Sequence, residues 1–226
     1  MSALGLRRHL DAFEAGHFVR LVNYHNTPAG TAPALRAELA RLADRFGTVD
    51  AEDLDAFFDT GVWPTEKPVF IPVFYEGYAN SATVAAPICD ELGLTAWFPV
   101  CTGFLDCPAP EQEYYARSHY IGLVPEELDS DRLAMTWDDV ARLAQRHVVT
   151  PHTASHVGIN DVSTDDDLER EVLEPKRRID AITGRSAPAF AWLHGTGYGL
   201  SPRHDEALVA AGYRYLIGNS MIHRIA

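Results

Sequence analysis

The sequence predicts an α/β fold, and two observations carry that expectation. Short runs of apolar, β-branched and aromatic residues alternate with stretches whose apolar side chains recur every three or four positions, the pattern of strand–helix–strand units around a mainly parallel sheet. The chain is 226 residues long and 46% hydrophobic, with no repeat, low-complexity tract or Pro/Ser/Gly-rich linker to divide it. One domain spanning 1–226 with one sizeable core is expected. Periodicity alone leaves open whether the sheet is an open, doubly wound one or a closed barrel.

The elements follow in order. Residues 18–24 read as a strand. Residues 33–46 read as a helix with Leu35, Leu39, Leu42 and Phe46 on one face and Gly47 as its stop. Asp50 with Asp53 predicts the capped start of a short helix through Phe58. Residues 69–75 form a buried apolar strand, followed by a helix over 81–92 and a strand over 95–100. No strong pattern marks 102–133, which reads as a long excursion of the kind that can serve as an active-site lid. Thr136 with Asp139 predicts a capping box opening a helix to about 145, and 148–150 is a short strand. A long helix over 164–183 shares Leu168, Val172, Ile179 and Ile182 on one face; Pro175 should kink it and Gly184 end it. A strand at 188–193, a helix opened by Ser201-Pro202 and closed by Gly212, and a last clear strand at 213–217 complete the chain.

A formal net charge of −13 opposes binding to nucleic acid or to an anionic membrane surface, since phosphate contacts need a basic patch. No window approaches the ~18 consecutive apolar residues of a membrane span. The N-terminus has neither a long apolar stretch nor a small-residue cleavage site, so no secretory signal and a cytosolic location are expected. Cys89, Cys101 and Cys107 are an odd number without metal-ligand spacing; Cys89 reads as a reduced core thiol.

His152-Thr-Ala-Ser-His156 is similar to the His-Ser/Thr-x-x-His motif of the polysaccharide deacetylase (NodB-homology) superfamily, which follows a strand as it does here. Upstream, Phe74-Tyr75-Glu76-Gly77-Tyr78 stands where that family carries Phe-Asp-Asp-Gly-Tyr. Downstream, Phe190-Ala-Trp192-Leu-His194-Gly195 resembles its Phe-Ala-Tyr-Pro-Tyr-Gly segment, and Tyr24-His25 resembles a Tyr-His pair ending the first strand in one branch. The resemblance covers roughly 20–218. It implies a distorted (β/α) barrel and hydrolysis of acetamides, usually on N-acetylated sugars.

In that family one aspartate of the first motif and both histidines hold a divalent metal, and the other aspartate is the general base. The resemblance therefore implies metal ligation by Glu76, His152 and His156, with zinc first and cobalt or nickel as alternatives. A metal suits the reaction, because it polarises a carbonyl and lowers the pKa of a bound water to about 7. Four residues apart, the two imidazoles would share one side of a helical turn. Tyr75 replaces the base, and a phenol with an ordinary pKa near 10 is a poor one; packing, substrate contact or a hydrogen bond to an oxyanion suits it better. By position His194 is a candidate acid for the leaving amine and its N–H a candidate oxyanion donor. His25 reads as a residue of the cleft mouth or a structural hydrogen-bond partner, and Trp192 as a wall for a sugar ring or a core residue.

The leading expectation is a metal-dependent hydrolase of a non-peptide amide, acting on a small N-acetylated sugar or natural product. Two others stand beside it. Tyr75-Glu76 resembles the pair of the allantoinase-like branch, which would open a cyclic amide with Glu76 as base and no metal. Alternatively, chemistry has lapsed and the barrel only binds a ligand.

Overall fold

A computed structural model describes residues 11–226; residues 1–10, on which the expectation of no secretory signal rests, lie outside them. Four parallel strands run side by side in chain order: β1 (Val19–Tyr24), β2 (Val69–Phe74), β3 (Trp97–Val100) and β4 (Val148–Pro151). Val19 lies opposite Val69, Val73 opposite Trp97, and Trp97 opposite Val148. A parallel bridge from His152 to Ala191 carries the order on to β5 (Ala189–Ala191), which pairs with β6 (Tyr215–Ile217). The strand β7 (Ile222–Arg224) turns back antiparallel on β6. Leu21 N–H donates to Ser220 O at 3.2 Å and Asn23 Nδ2 to Asn219 O at 2.7 Å, which brings the last hairpin against the first strand. The strands thus close into the distorted barrel that the family resemblance implied.

Strand alternation sorts the side chains. Val69, Ile71, Val73 and Tyr75 fill the barrel with Leu21, Trp97, Ala189, Ala191, Tyr215 and Ile217. Phe70, Phe74, Phe98 and Val149 point outward into the helix layer. There α1 (Ala32–Arg45) buries Leu35 and Leu39, while α2 (Ala51–Thr60) starts at the expected Asp50–Asp53 capping box. The helix over 81–91, α3, opens with a π turn at Ser81–Ala85, because Pro87 has no N–H to return to the carbonyl four residues back. Thr136 and Asp139 cap α6 (Trp137–Leu143) as expected. The long helix over 165–183, α7, has its π turn at Glu169–Leu173, just before Pro175, and ends at Gly184. The last helix, α8, is Pro202–Ala210.

Three expectations are corrected. α1 ends one residue earlier than expected, without Gly47 as its stop: Phe46 is already extended, and Gly47 bridges to Val69 so near Thr65 that a Cβ would sit 2.9 Å from its Cγ2. Residues 215–217 are not the last strand. The 102–133 excursion is built rather than patternless. It contains α4 (Thr102–Asp106) and α5 (Gln112–Ser118), and its Phe104, Ala116, Ile121 and Leu133 pack with Tyr78 and Cys101 in a small core of their own. Short helices of five and seven residues are too brief to show periodicity. All three cysteines are free thiols, and Cys89 is buried as expected. Among the described residues no helix is long and apolar enough to cross a membrane.

A candidate metal centre at the carboxyl ends of the strands

The turn after β2 delivers Glu76. By strand alternation its side chain should follow Phe74 outward, but the backbone at Glu76 is left-handed (φ 65°), as is the following Gly77 (φ 90°). A non-glycine residue in this region costs about 1–2 kcal/mol. The surroundings impose it: Glu76 O accepts from Cys101 N–H, Gly77 O accepts from Met135 N–H, and a Cβ on Gly77 would stand 2.7 Å from Leu105 Cδ1. The carboxylate ends buried, 3% exposed, beside three imidazoles. The extra methylene relative to aspartate is absorbed in this turn.

His152 continues β4 through its bridge to Ala191, and His156 follows on a turn at φ 58°, not on a helix. The rings nevertheless meet, 5.1 Å apart. The loop that carries them is fixed from α7. Because Pro175 offers no N–H, the Glu171 carbonyl is free of the helix and accepts from Ala154 N–H. The Glu171 carboxylate, 2% exposed, accepts from Ser155 N–H at 2.9 Å and Ser155 Oγ at 2.8 Å.

Glu76, His152 and His156 bring one ligand atom each within 4.8 Å of one another. His156 Nδ1–H donates to the carbonyl of His119 at 2.7 Å, so in the neutral ring Nε2 is a bare lone pair. That buried Nε2 has no hydrogen-bond partner and lies 3.5 Å from Glu76 Oε1, too far for a hydrogen bond between them. Two acceptors facing one another across this gap suit a cation. The other carboxylate oxygen, Oε2, accepts from His25 Nδ1 at 2.8 Å. Burial pushes the Glu76 carboxyl up, but the neighbouring His156, His25 and His152 imidazoles outweigh that and draw it down to about 2. Burial, and then His156, hold His152 down at about 3, which keeps it neutral as ligation requires. In the present geometry His152 Nδ1 accepts from Thr153 N–H at 2.8 Å. Ligation by that ring gives up this bond; with the proton moved to Nδ1, Thr153 Oγ1 at 3.3 Å is the nearby acceptor. The set fits a divalent ion with imidazole and carboxylate ligands.

A cleft of ≈ 690 Å³ opens on this cluster at the carboxyl ends of the strands. The position is the usual site of chemistry in barrels of this kind. A second cleft of ≈ 500 Å³, beside His147 and Arg214 at the opposite strand ends, has no cluster of metal-type ligands among the described residues.

The other sequence-predicted residues fall as follows. Tyr75 lines the cleft but is buried, its ring stacked on His25 and edge-on to His152. Burial, and then the Glu76 charge, push its phenol up, the wrong direction for a base. His25 both opens on the cleft and bonds Glu76, joining the two roles read for it. His194 is exposed at the rim at φ 66°, with its carbonyl held by Asn219 Nδ2. Trp192 is 1% exposed and packs with Phe190 outside the barrel, as the core reading of it has it, and it also borders the cleft from behind. Sequence reasoning missed Glu171, the carbonyl of His119 and Tyr120. A proline in a long helix beside the two-histidine loop was the one available signal, and it pointed only to a kink.

No protein-family model matches the chain, and no curated protein matches it. Solved structures do. A de-N-acetylase from Aggregatibacter actinomycetemcomitans superposes with a TM-score of 0.67 at 16% identity, covering 92% of this chain and 91% of that one. The deacetylase PplD of Streptococcus pyogenes, solved with acetate, gives 0.63 at 14% over 87% and 80%. The deacetylase domain of BpsB from Bordetella bronchiseptica gives 0.63 at 16% over 88% and 87%.

Proposed function

We infer that this chain, which has the polysaccharide deacetylase fold, is a metal-dependent hydrolase that removes the acetyl group from an N-acetylated sugar or a related small natural product. The orphaned lone pair of His156 Nε2 beside Glu76 Oε1 carries the metal part of this reading. The substrate part rests on the fold shared with deacetylases and on a cleft deep enough for a ring substrate. Preference for a small conjugate over intact polymer, and zinc over cobalt or nickel, are its narrower terms.

Glu76, His152 and His156 would hold the ion, which when bound supplies Lewis acidity toward the acetyl carbonyl and a water acidified to about pKa 7. His25 holds Glu76 Oε2, so the carboxylate presents Oε1 to the cluster. Tyr75 takes no proton; it shelves the rings of His25 and His152. His194 stands at the rim as the imidazole for protonating the leaving amine.

The metal-free cyclic-amide reading needs Glu76 as base, and imidazole neighbours that draw its carboxyl down weaken it in that role. Hydrolysis of a panel of N-acetylated sugars and cyclic amides, before and after chelation and with zinc, cobalt or nickel restored, tests the proposal. Deacetylation lost on chelation and recovered on reloading supports it. Activity that survives chelation but not Glu76→Gln would establish the metal-free reading, and no turnover on any substrate would leave a ligand-binding barrel.

A further inference from the structure

Among the described residues four non-glycine residues hold a left-handed backbone: Glu76, Tyr120, His156 and His194. All four border the same cleft. Strain of this kind persists only where the surroundings impose it, and it concentrates at functional sites. Three of the four already have a role in the proposed chemistry. Tyr120 (φ 57°) has none.

The chain fixes Tyr120 through its neighbours rather than through its ring. His119 O accepts from His156 Nδ1–H at 2.7 Å, Ile121 N–H donates to Ala116 O at 2.8 Å, and Gly122 O accepts from Tyr78 Oη and Asn26 Nδ2, each at 2.6 Å. With the backbone held on both sides, the ring stands 87% exposed at the cleft edge. An aromatic ring carried on a fixed backbone, with its face left to solvent, is suited to an apolar ring face of a ligand.

We propose that Tyr120 is a specificity-determining platform that stacks on a second ring of the substrate, next to the ring whose acetamide faces the Glu76 cluster. The substrate is then a conjugate of at least two rings, such as a disaccharide, and not a lone N-acetyl sugar. The acetamide part of this statement rests on the deacetylase reading; the platform does not.

The test uses N-acetylglucosamine and its β-linked dimer and trimer as probes, with binding measured by calorimetry and hydrolysis measured separately. Tyr120→Asn removes the ring while keeping a residue that tolerates the left-handed backbone, and Tyr120→Phe keeps the ring. For the dimer and trimer, Tyr120→Asn should weaken binding about tenfold and raise KM with kcat little changed, while Tyr120→Phe stays near wild type. Binding of the single sugar should barely respond to either. Equal binding of the dimer by wild type and Tyr120→Asn, with thermal unfolding showing both folded, overturns the platform, as does a wild type that binds none of the probes. Ring-dependent binding without any hydrolysis would sink the deacetylase reading and leave the platform standing.

Discussion

His156 Nδ1–H donates to the carbonyl of His119 at 2.7 Å, and that bond turns Nε2 toward Glu76 Oε1, 3.5 Å away. With His156 neutral, the pair is a buried lone pair facing a buried carboxylate, an arrangement that a cation between them would satisfy. The excursion over 102–133 therefore belongs to the candidate centre: through His119 O it holds the Nδ1–H tautomer of a candidate ligand. Outer contacts of this type typically change metal affinity by about 10–100-fold.

Glu171 should matter to the metal although it touches no ligand atom. Glu171→Ala removes the acceptor of Ser155 N–H and Oγ and loosens the loop between the two histidines. Zinc affinity measured by calorimetry should fall about 10–100-fold, and the cobalt absorption spectrum should broaden or shift. Glu171→Gln, which keeps an oxygen acceptor, should recover part of the affinity. Wild-type affinity in Glu171→Ala would remove the positioning role.

Tyr75→Phe should leave kcat close to wild type, since the phenol proton takes no part. Loss of a general base costs ~10²–10⁴-fold. A drop of that size in Tyr75→Phe, in a folded protein, would make Tyr75 catalytic after all.

Asp139 caps α6 and pairs with Arg132 and Arg142 at 2.7 and 2.8 Å. Burial raises its pKa, but the Thr136 N–H and the two guanidiniums outweigh that and hold it at about 2, below the ordinary 3.8. A depressed carboxyl stabilises the fold above its unfolded pKa and loses that contribution as pH falls toward the folded one. Asp139→Asn should therefore cost about 1 kcal/mol at pH 7, read as a lower Tm. The gap to wild type should close as pH drops from about 4 to about 2. A gap that is constant across that window would mean the charge contributes nothing.

Strands and helices were legible in the sequence wherever apolar residues repeat over a full element, as in 69–75 or 164–183. Glu76, His152 and His156 were legible because they occupy the motif positions of a known fold, although the shared side of a helix expected for the two histidines is in fact a strand end and a left-handed turn. Tyr120 was not legible, since its significance lies in a φ angle and in bonds that its neighbours His119 and Gly122 make to partners 37, 44 and 96 residues away along the chain. Trp192 stayed open between wall and core because a strand of three residues gives too little alternation to tell the barrel side from the helix side.

The central claim is that Glu76, His152 and His156 bind one divalent ion. Anomalous scattering at the zinc edge, from crystals grown with zinc, tests it most directly. The account predicts a single strong peak at ligand distance from one atom of each of the three residues, absent in His156→Ala. No peak there in well-ordered wild-type crystals, or a peak that persists in His156→Ala, would contradict it.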